Sequence, residues 1–305
     1  MNTEKTKHTV QTTGHAWDGD LQEFNNPLPR WWLWGFYLTV LFAIIYWILY
    51  PAWPLGKTYT KGWFNNITFE TKDGKTETMH WNTRALLIKD MEDAQAKQQK
   101  YVDQLKTASF AEIAKDENKS AFAYSMAKVL FADNCAACHQ QGGGGVIGLY
   151  PNLADDAWLW GGTYQDIQYT ITHGRHGFMP AFKETFNKEQ LDDVANYVLS
   201  LSGHKVDAAK AAKGAEIFNG QTGGCYYCHT HAGTGLKSQG SANLTDSIWT
   251  IANVPGEPTI QGKLKAVEHV ISNGVNRVMP TWQGRLSDTD IKILAFYVHE
   301  LGGGK

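Results

Sequence analysis

The chain has 305 residues, a net charge of −2 and 43% hydrophobic residues, enough for two domains of roughly 100 residues each plus connecting segments. With no basic block and no arginine-rich aromatic platform, its composition excludes nucleic acid as a partner. Its four cysteines form two close pairs, each followed at once by histidine, so none is left for a structural disulfide. Many of the twelve Trp, thirteen Tyr and thirteen Phe fall in one apolar run or around the cysteine motifs, a distribution suited to a flat apolar cofactor.

Residues 1–30 are predominantly polar. From Trp31 to Gly56 no residue is charged, and Trp31 to Tyr50 is apolar over the length needed to cross a bilayer core as one helix. Trp31, Trp32 and Trp34 at one end, and Tyr46, Trp47, Tyr50 and Trp53 at the other, stand where interfacial aromatic belts belong. Pro27, Pro29, Pro51 and Pro54 bracket the span. A cleaved signal peptide or a buried core helix are the competing readings. The polar leader, the length of the run and the lack of a small-x-small site near Pro51 to Gly56 weigh against them. Only Arg30 lies just before the span while Lys57 and Lys61 follow it, so the positive-inside rule alone would put the C-terminal side in the cytoplasm. Residues 57–118 read as a helical linker, with a charged Gln/Ala-rich helix from Arg84 to Lys115 acting as a solvated spacer.

The remainder is an internal repeat. Cys135, Cys138 and His139 recur as Cys225, Cys228 and His229; Asn152, Leu153 and Trp158 as Asn243, Leu244 and Trp249; Met179 and Pro180 as Met279 and Pro280; and Tyr197, Val198 and Leu201 as Tyr297, Val298 and Leu301. The second half carries nine more residues between its Trp and its Met-Pro, around Asn253 to Gly262, and with Pro255, Gly256 and Pro258 these read as a surface loop. Each half opens with a helix (about Ser120 to Ala132, and Ala208 to Phe218). Each closes with another whose start has capping-box spacing, Asn187 with Gln190 and Ser287 with Asp290, and whose stop is Gly203 or Gly302. The expected fold is therefore all-α: one N-terminal transmembrane helix within 31–56, a helical linker 57–118, and tandem cytochrome c domains at 119–203 and 207–305.

Two thiols three positions apart can add to the two vinyl groups of one porphyrin, and a histidine directly after the second falls beneath the iron. Cys135, Cys138, Cys225 and Cys228 are thus read as covalent attachment points for two haem c groups, with His139 and His229 as proximal ligands. A zinc ribbon is disfavoured because Cys138 and Cys225 stand 87 positions apart, and a redox dithiol because no βαβ context is visible. Met179 and Met279, each before a proline, 40 and 50 residues after their histidines, are read as sixth ligands. His173 and His176 are alternatives in the first half; His231 is too close to His229, and His269 and His299 are read as packing or surface residues. Thioether ligation favours reduced iron and closes the coordination sphere, so the site passes electrons rather than binding oxygen. Arg175 is either a partner for a haem propionate or a plain surface residue.

The run Asn26, Pro27, Leu28, Pro29, Arg30, Trp31, Trp32 before a single span resembles the signature of the dihaem c subunit of cbb3-type cytochrome c oxidases. Pro151, Asn152, Leu153, Trp158, Gly161, Gly162, Gly174, Arg175, Gly177, Met179 and Pro180 are similar to that family's first cytochrome domain. The resemblance implies an electron relay from a donor cytochrome c to the monohaem c subunit and the catalytic haem-copper subunit, in a complex that reduces oxygen to water and pumps protons. It also implies a bacterial inner-membrane location with residues 1–30 cytoplasmic and the haem domains periplasmic, because c-type attachment takes place there. Further, it implies that the methionines are exchanged, Met279 completing the haem on Cys135 and Cys138 and Met179 that on Cys225 and Cys228; spacing alone does not decide between this and ligation within each half. Residues 116–203 hold ten acidic against five basic residues, while 204–305 hold eight against ten, so the first half either steers a basic donor or simply carries solubilising charge. The rival assignments are a dihaem carrier of a bc complex or dehydrogenase, and a dihaem peroxidase, which needs one open iron site. No histidine lies in the span to hold a further haem or copper, so the chain alone is expected not to reduce oxygen. Alkaline pyridine spectra should count two c-type haems per chain, and Cys135→Ala with Cys138→Ala should leave one.

Overall fold

The computed structural model describes residues 10–71 and 73–302 and divides into two compact units, with the boundary after Gln98. In the first, β1 (Thr12–Trp17) and β2 (Leu21–Phe24) form an antiparallel ribbon. Helix α1 (Arg30–Leu49) follows. It starts behind Pro29 and stops before Pro51, is 20 residues long and has a mean hydropathy of 1.9. None of its residues is buried against protein, which in an apolar helix of this length means that lipid is the expected solvent. Two more ribbons follow, β3 (Pro54–Leu55) with β4 (Thr58–Tyr59) and β5 (Asn66–Glu70) with β6 (Thr76–His80). The start of the expected helical linker is therefore strand. Alternating Thr, Ile and Phe in Asn66–Glu70 carried that signal. The expected spacer helix Arg84 to Lys115 is in two pieces: α2 (Thr83–Thr107), within which the unit boundary falls, and a short helix from Phe110 capped by Ser109.

The second unit contains α3 (Phe110–Lys115) and then the repeat: α4 (Glu117–Asn134), α5 (Ala136–His139), α6 (Tyr164–His173), β7 (Arg175–Met179) and α7 (Lys188–Leu201). Its second copy is α8 (Ala208–Asn219), α9 (Tyr226–His229), α10 (Ile260–Asn273), β8 (Val275–Met279) and α11 (Asp288–Gly302). Both closing helices start with reciprocal caps, Asn187 with Gln190 and Ser287 with Asp290. The fold is thus mainly helical. The all-α expectation has to be corrected to admit four two-stranded antiparallel ribbons among the described residues.

The sequence repeat and the packing unit do not coincide. One core gathers Ala123, Ala127 and Phe131 of α4 and Ile167 and Ile171 of α6 around Ile291, Leu294, Phe296 and Val298 of α11. The other gathers Phe218 of α8 and Leu264, Val267 and Ile271 of α10 around Val194, Ala195, Val198 and Leu199 of α7. Each closing helix therefore completes the core of the opposite half. Fully burying one such aliphatic or aromatic side chain is worth about 1.5–3 kcal/mol, so each crossing is held by several of them. Lys292 on α11 adds polar contacts, its ammonium donating to the carbonyls of Leu105, Lys106 and Ala108 at the end of α2. The insertion is less peripheral than its Pro/Gly content implied, since Val254 is 1% exposed in the second core and helix α10 begins at Ile260.

The crossing itself is β7 paired antiparallel with β8, Arg175 opposite Met279, Gly177 opposite Arg277 and Met179 opposite Val275. Beyond it the chain continues onto the other half: Phe182 N–H donates to Ile271 O and Trp282 N–H to Ile171 O, both at 3.1 Å. Gly174 and Gly274 make this approach possible. Their φ angles are +72° and +69°, and a Cβ on either would lie 2.4 or 2.5 Å from the carbonyl oxygen of Met279 or Met179. Gly174→Ala should therefore lower stability by about 1–3 kcal/mol, read from denaturant unfolding of the purified chain.

Candidate functional site

Each Cys-x-x-Cys-His motif is one helical turn. His139 N–H donates to Cys135 O and His229 N–H to Cys225 O, both at 2.9 Å, which sets the two thiols and the imidazole on a shared turn. The residue after each histidine, Gln140 or Thr230, takes a left-handed φ of 63° or 65° and turns the chain sharply out of it. Cys135 and Cys225 are half-buried, Cys138 and Cys228 exposed, and none is in a disulfide. Burial pushes the thiols of Cys135 and Cys225 up to about 11, so they stay protonated until they react.

The imidazoles are held by the loops that follow. His139 Nδ1 lies 3.1 Å from Pro151 O and His229 Nδ1 2.9 Å from Ala242 O. A carbonyl accepts only, so Nδ1 carries the proton and Nε2 keeps the lone pair that a metal requires. Burial lowers the pKa of both rings, against the weaker opposing pull of the carbonyls, which favours the neutral, ligating form.

Met279 packs against the core that contains Cys135 and Phe131, and Met179 against the core that contains Cys225 and Phe218. Each Cys-x-x-Cys-His turn and the methionine of the other half thus pack against the same core. The alternative histidines lie elsewhere. His176 is on the opposite, exposed face of β7 from Met179 and bonds Asn276 Oδ1 at 2.8 Å. His173 is stacked on Tyr169, and His231 on Tyr226. His269 contacts Asn273, and His299 stacks on Tyr164. Arg175 is engaged by protein, its guanidinium 4.7 Å from the centroids of Trp160 and Tyr169 and its Nε donating to Thr170.

A feature missed in the sequence tests whether haem fits here. The indole N–H groups of Trp158 and Trp249 are buried without an acceptor, one beside each core. An orphaned buried donor costs about 1–3 kcal/mol, and two at matching repeat positions call for an acceptor that the polypeptide does not supply. A haem propionate is such an acceptor. The donor set (two thiols, a neutral imidazole, a thioether and an indole N–H) suits haem c in both places.

Duplicated Cys-x-x-Cys-His turns, with His139 buried and His229 half-buried, enclosed by short helices, define a c-type cytochrome. Residues 9–57 match a family described as the N-terminal domain of cytochrome oxidase-cbb3, FixP, and residues 123–198 and 209–298 match cytochrome c oxidase, cbb3-type, subunit III. The FixP subunit of the cbb3-type oxidase of Azorhizobium caulinodans is 44% identical over 96% of this chain and 94% of its own length. The CcoP subunit of Azospirillum brasilense is 40% identical over 97% and 96%, and that of Cereibacter sphaeroides 39% identical over 96% and 95%. The chain belongs to the cbb3-type cytochrome c oxidase subunit III family, and the expectation of an electron-transfer subunit of such an oxidase stands. Replacing Trp158 or Trp249 by Phe keeps the ring and removes the donor; covalent haem should be retained while the midpoint potential of one haem falls, as read by redox titration.

Proposed function

We propose that this chain is a membrane-anchored dihaem relay. Electrons come from a donor cytochrome c, cross between two haem c groups and pass to the monohaem c subunit and then the catalytic haem-copper subunit. The anchor is α1, with residues 1–30 cytoplasmic and the haem-carrying unit in the bacterial periplasm. The observation that carries the reading is the exchanged packing: each attachment turn shares a core with the methionine and closing helix of the other half.

Haem c supplies reversible one-electron exchange at iron. The chain's own groups do the rest. Cys135 with Cys138, and Cys225 with Cys228, tether the groups; His139 and His229 present Nε2 from one side, oriented by Pro151 O and Ala242 O. Met279 serves the group on Cys135 and Cys138, and Met179 that on Cys225 and Cys228. A closed His/Met pair excludes oxygen and peroxide from the iron, which separates this reading from a peroxidase. The family match separates it from a carrier of a bc complex or dehydrogenase.

In a chain carrying Cys225→Ala and Cys228→Ala, only the haem on Cys135 and Cys138 remains. Near-infrared magnetic circular dichroism should then show the thioether band lost in Met279→Leu and kept in Met179→Leu; the reverse pattern establishes ligation within each half. Extraction in mild detergent should bring the intact chain out with a haem-copper subunit, and its recovery with a bc complex instead would refute the assembly proposed.

A further inference from the structure

The β7–β8 ribbon has two unlike faces. Residues 175, 177 and 179 on one strand and 275, 277 and 279 on the other are half-buried, and those between them are exposed. Both methionines therefore lie on one face, at opposite ends, with Arg277 at its centre opposite Gly177. Along its own strand Arg277 is two residues from Met279, and across the ribbon its partner Gly177 is two residues from Met179, so the Arg277 Cβ is about 7 Å from each methionine position. A Cβ on Gly177 would meet nothing within 4 Å.

Arg277 is partly withdrawn from water, and burial is the main influence on its guanidinium, lowering its pKa. It stays charged, since arginine does not deprotonate in proteins. Among the described residues no carboxylate lies within ion-pair distance of it and no hydrogen bond holds it. The contrast with Arg175, clamped by Trp160, Tyr169 and Thr170, is plain. A desolvated, unpaired cation is costly unless an anion meets it. The group acting on it through charge is the Tyr150 phenol, which in turn interacts with Cys138 of the first attachment turn. Arg277 thus stands equally near both methionines. Its chemistry matches a carboxylate, the only anionic group that haem c carries.

We propose that Arg277 is a positioning residue shared by the two haem sites, its guanidinium meeting propionate carboxylate between them and raising both midpoint potentials together. The inference rests on the exchanged-methionine reading above. A fixed positive charge favours the reduced, less positive iron, so removing it lowers the potential. Because one charge acts on both groups, it moves them in parallel and leaves the step between them nearly level.

The test is a redox titration of the full-length, haem-loaded chain in detergent, with ligation followed by near-infrared magnetic circular dichroism. Arg277→Gln should lower both potentials with both thioether bands retained, and Arg277→Lys, which keeps the charge, should recover most of the shift. Both bands retained with one or both potentials unmoved in Arg277→Gln would overturn the proposal. Should Arg277→Gln fail to assemble, Arg277→Lys decides: potentials close to the parent's support a charge role, and loss of either thioether band there overturns it. Met279→His in the same titration separates this from the underlying reading. If it alters the haem on Cys225 and Cys228, the exchange has failed, whereas if it alters the one on Cys135 and Cys138 while the Arg277 variants do nothing, only the present inference has.

Discussion

Antiparallel pairing of two five-residue strands, Arg175–Met179 with Val275–Met279, governs the haem-carrying unit. Each strand runs out of one half and, having met the other, cannot turn back; the backbone bonds from Phe182 to Ile271 and from Trp282 to Ile171 carry it onward into the neighbouring core. The methionine and the closing helix then pack into the core of the other half. Gly174 and Gly274 sit at the two points where backbone must pass backbone most closely, and at each the left-handed φ and the missing Cβ are both needed. The pairing therefore decides which methionine shares a core with which Cys-x-x-Cys-His turn.

Two cores completed in this way share their boundary instead of being joined by a tether. Small residues recur where the halves interlock: Leu301 of α11 lies against Gly143 and Leu201 of α7 against Gly233, matching contacts in the two loops that follow the attachment turns. The hydrophobic contribution of α11 falls on residues far from it in sequence, with Tyr297 ring-packed on Phe131 and on Tyr124. Polar fixtures such as the Tyr164 hydroxyl donating to Glu300 add orientation more than energy. For an electron carrier a rigid shared boundary is useful, because transfer between two centres depends on a separation that does not fluctuate.

Much of this was legible from residue types. The apolar run bounded by prolines, the two attachment turns, the opening and closing helices and their caps all come from short-range rules, and short-range rules act the same in any tertiary setting. What escaped depended on which segments meet. The β5–β6 ribbon was absorbed into a helix reading because its alternation is brief and partly polar. Val254 looked like loop because prolines and glycine surround it, yet it fills the second core. Arg277 carried no signal of its own: its place between two methionines exists only through the register with Gly177. Trp158 and Trp249 stood out as repeat landmarks, but that their N–H groups lack acceptors is a property of the packed structure.

The order in which the chain is made gives the exchanged α11 a further meaning. A polypeptide leaves the ribosome from its N-terminus, so Cys135 and Cys138 are displayed long before Asp288–Gly302 exists to cover the core beside them. The earlier attachment site is thus the last to be closed, and contacts that distant in sequence form slowly. During that interval the thiols of the first turn stay accessible without a folded core having to open. A chain without α11 leaves the apolar residues of α4 and α6 that pack on it exposed.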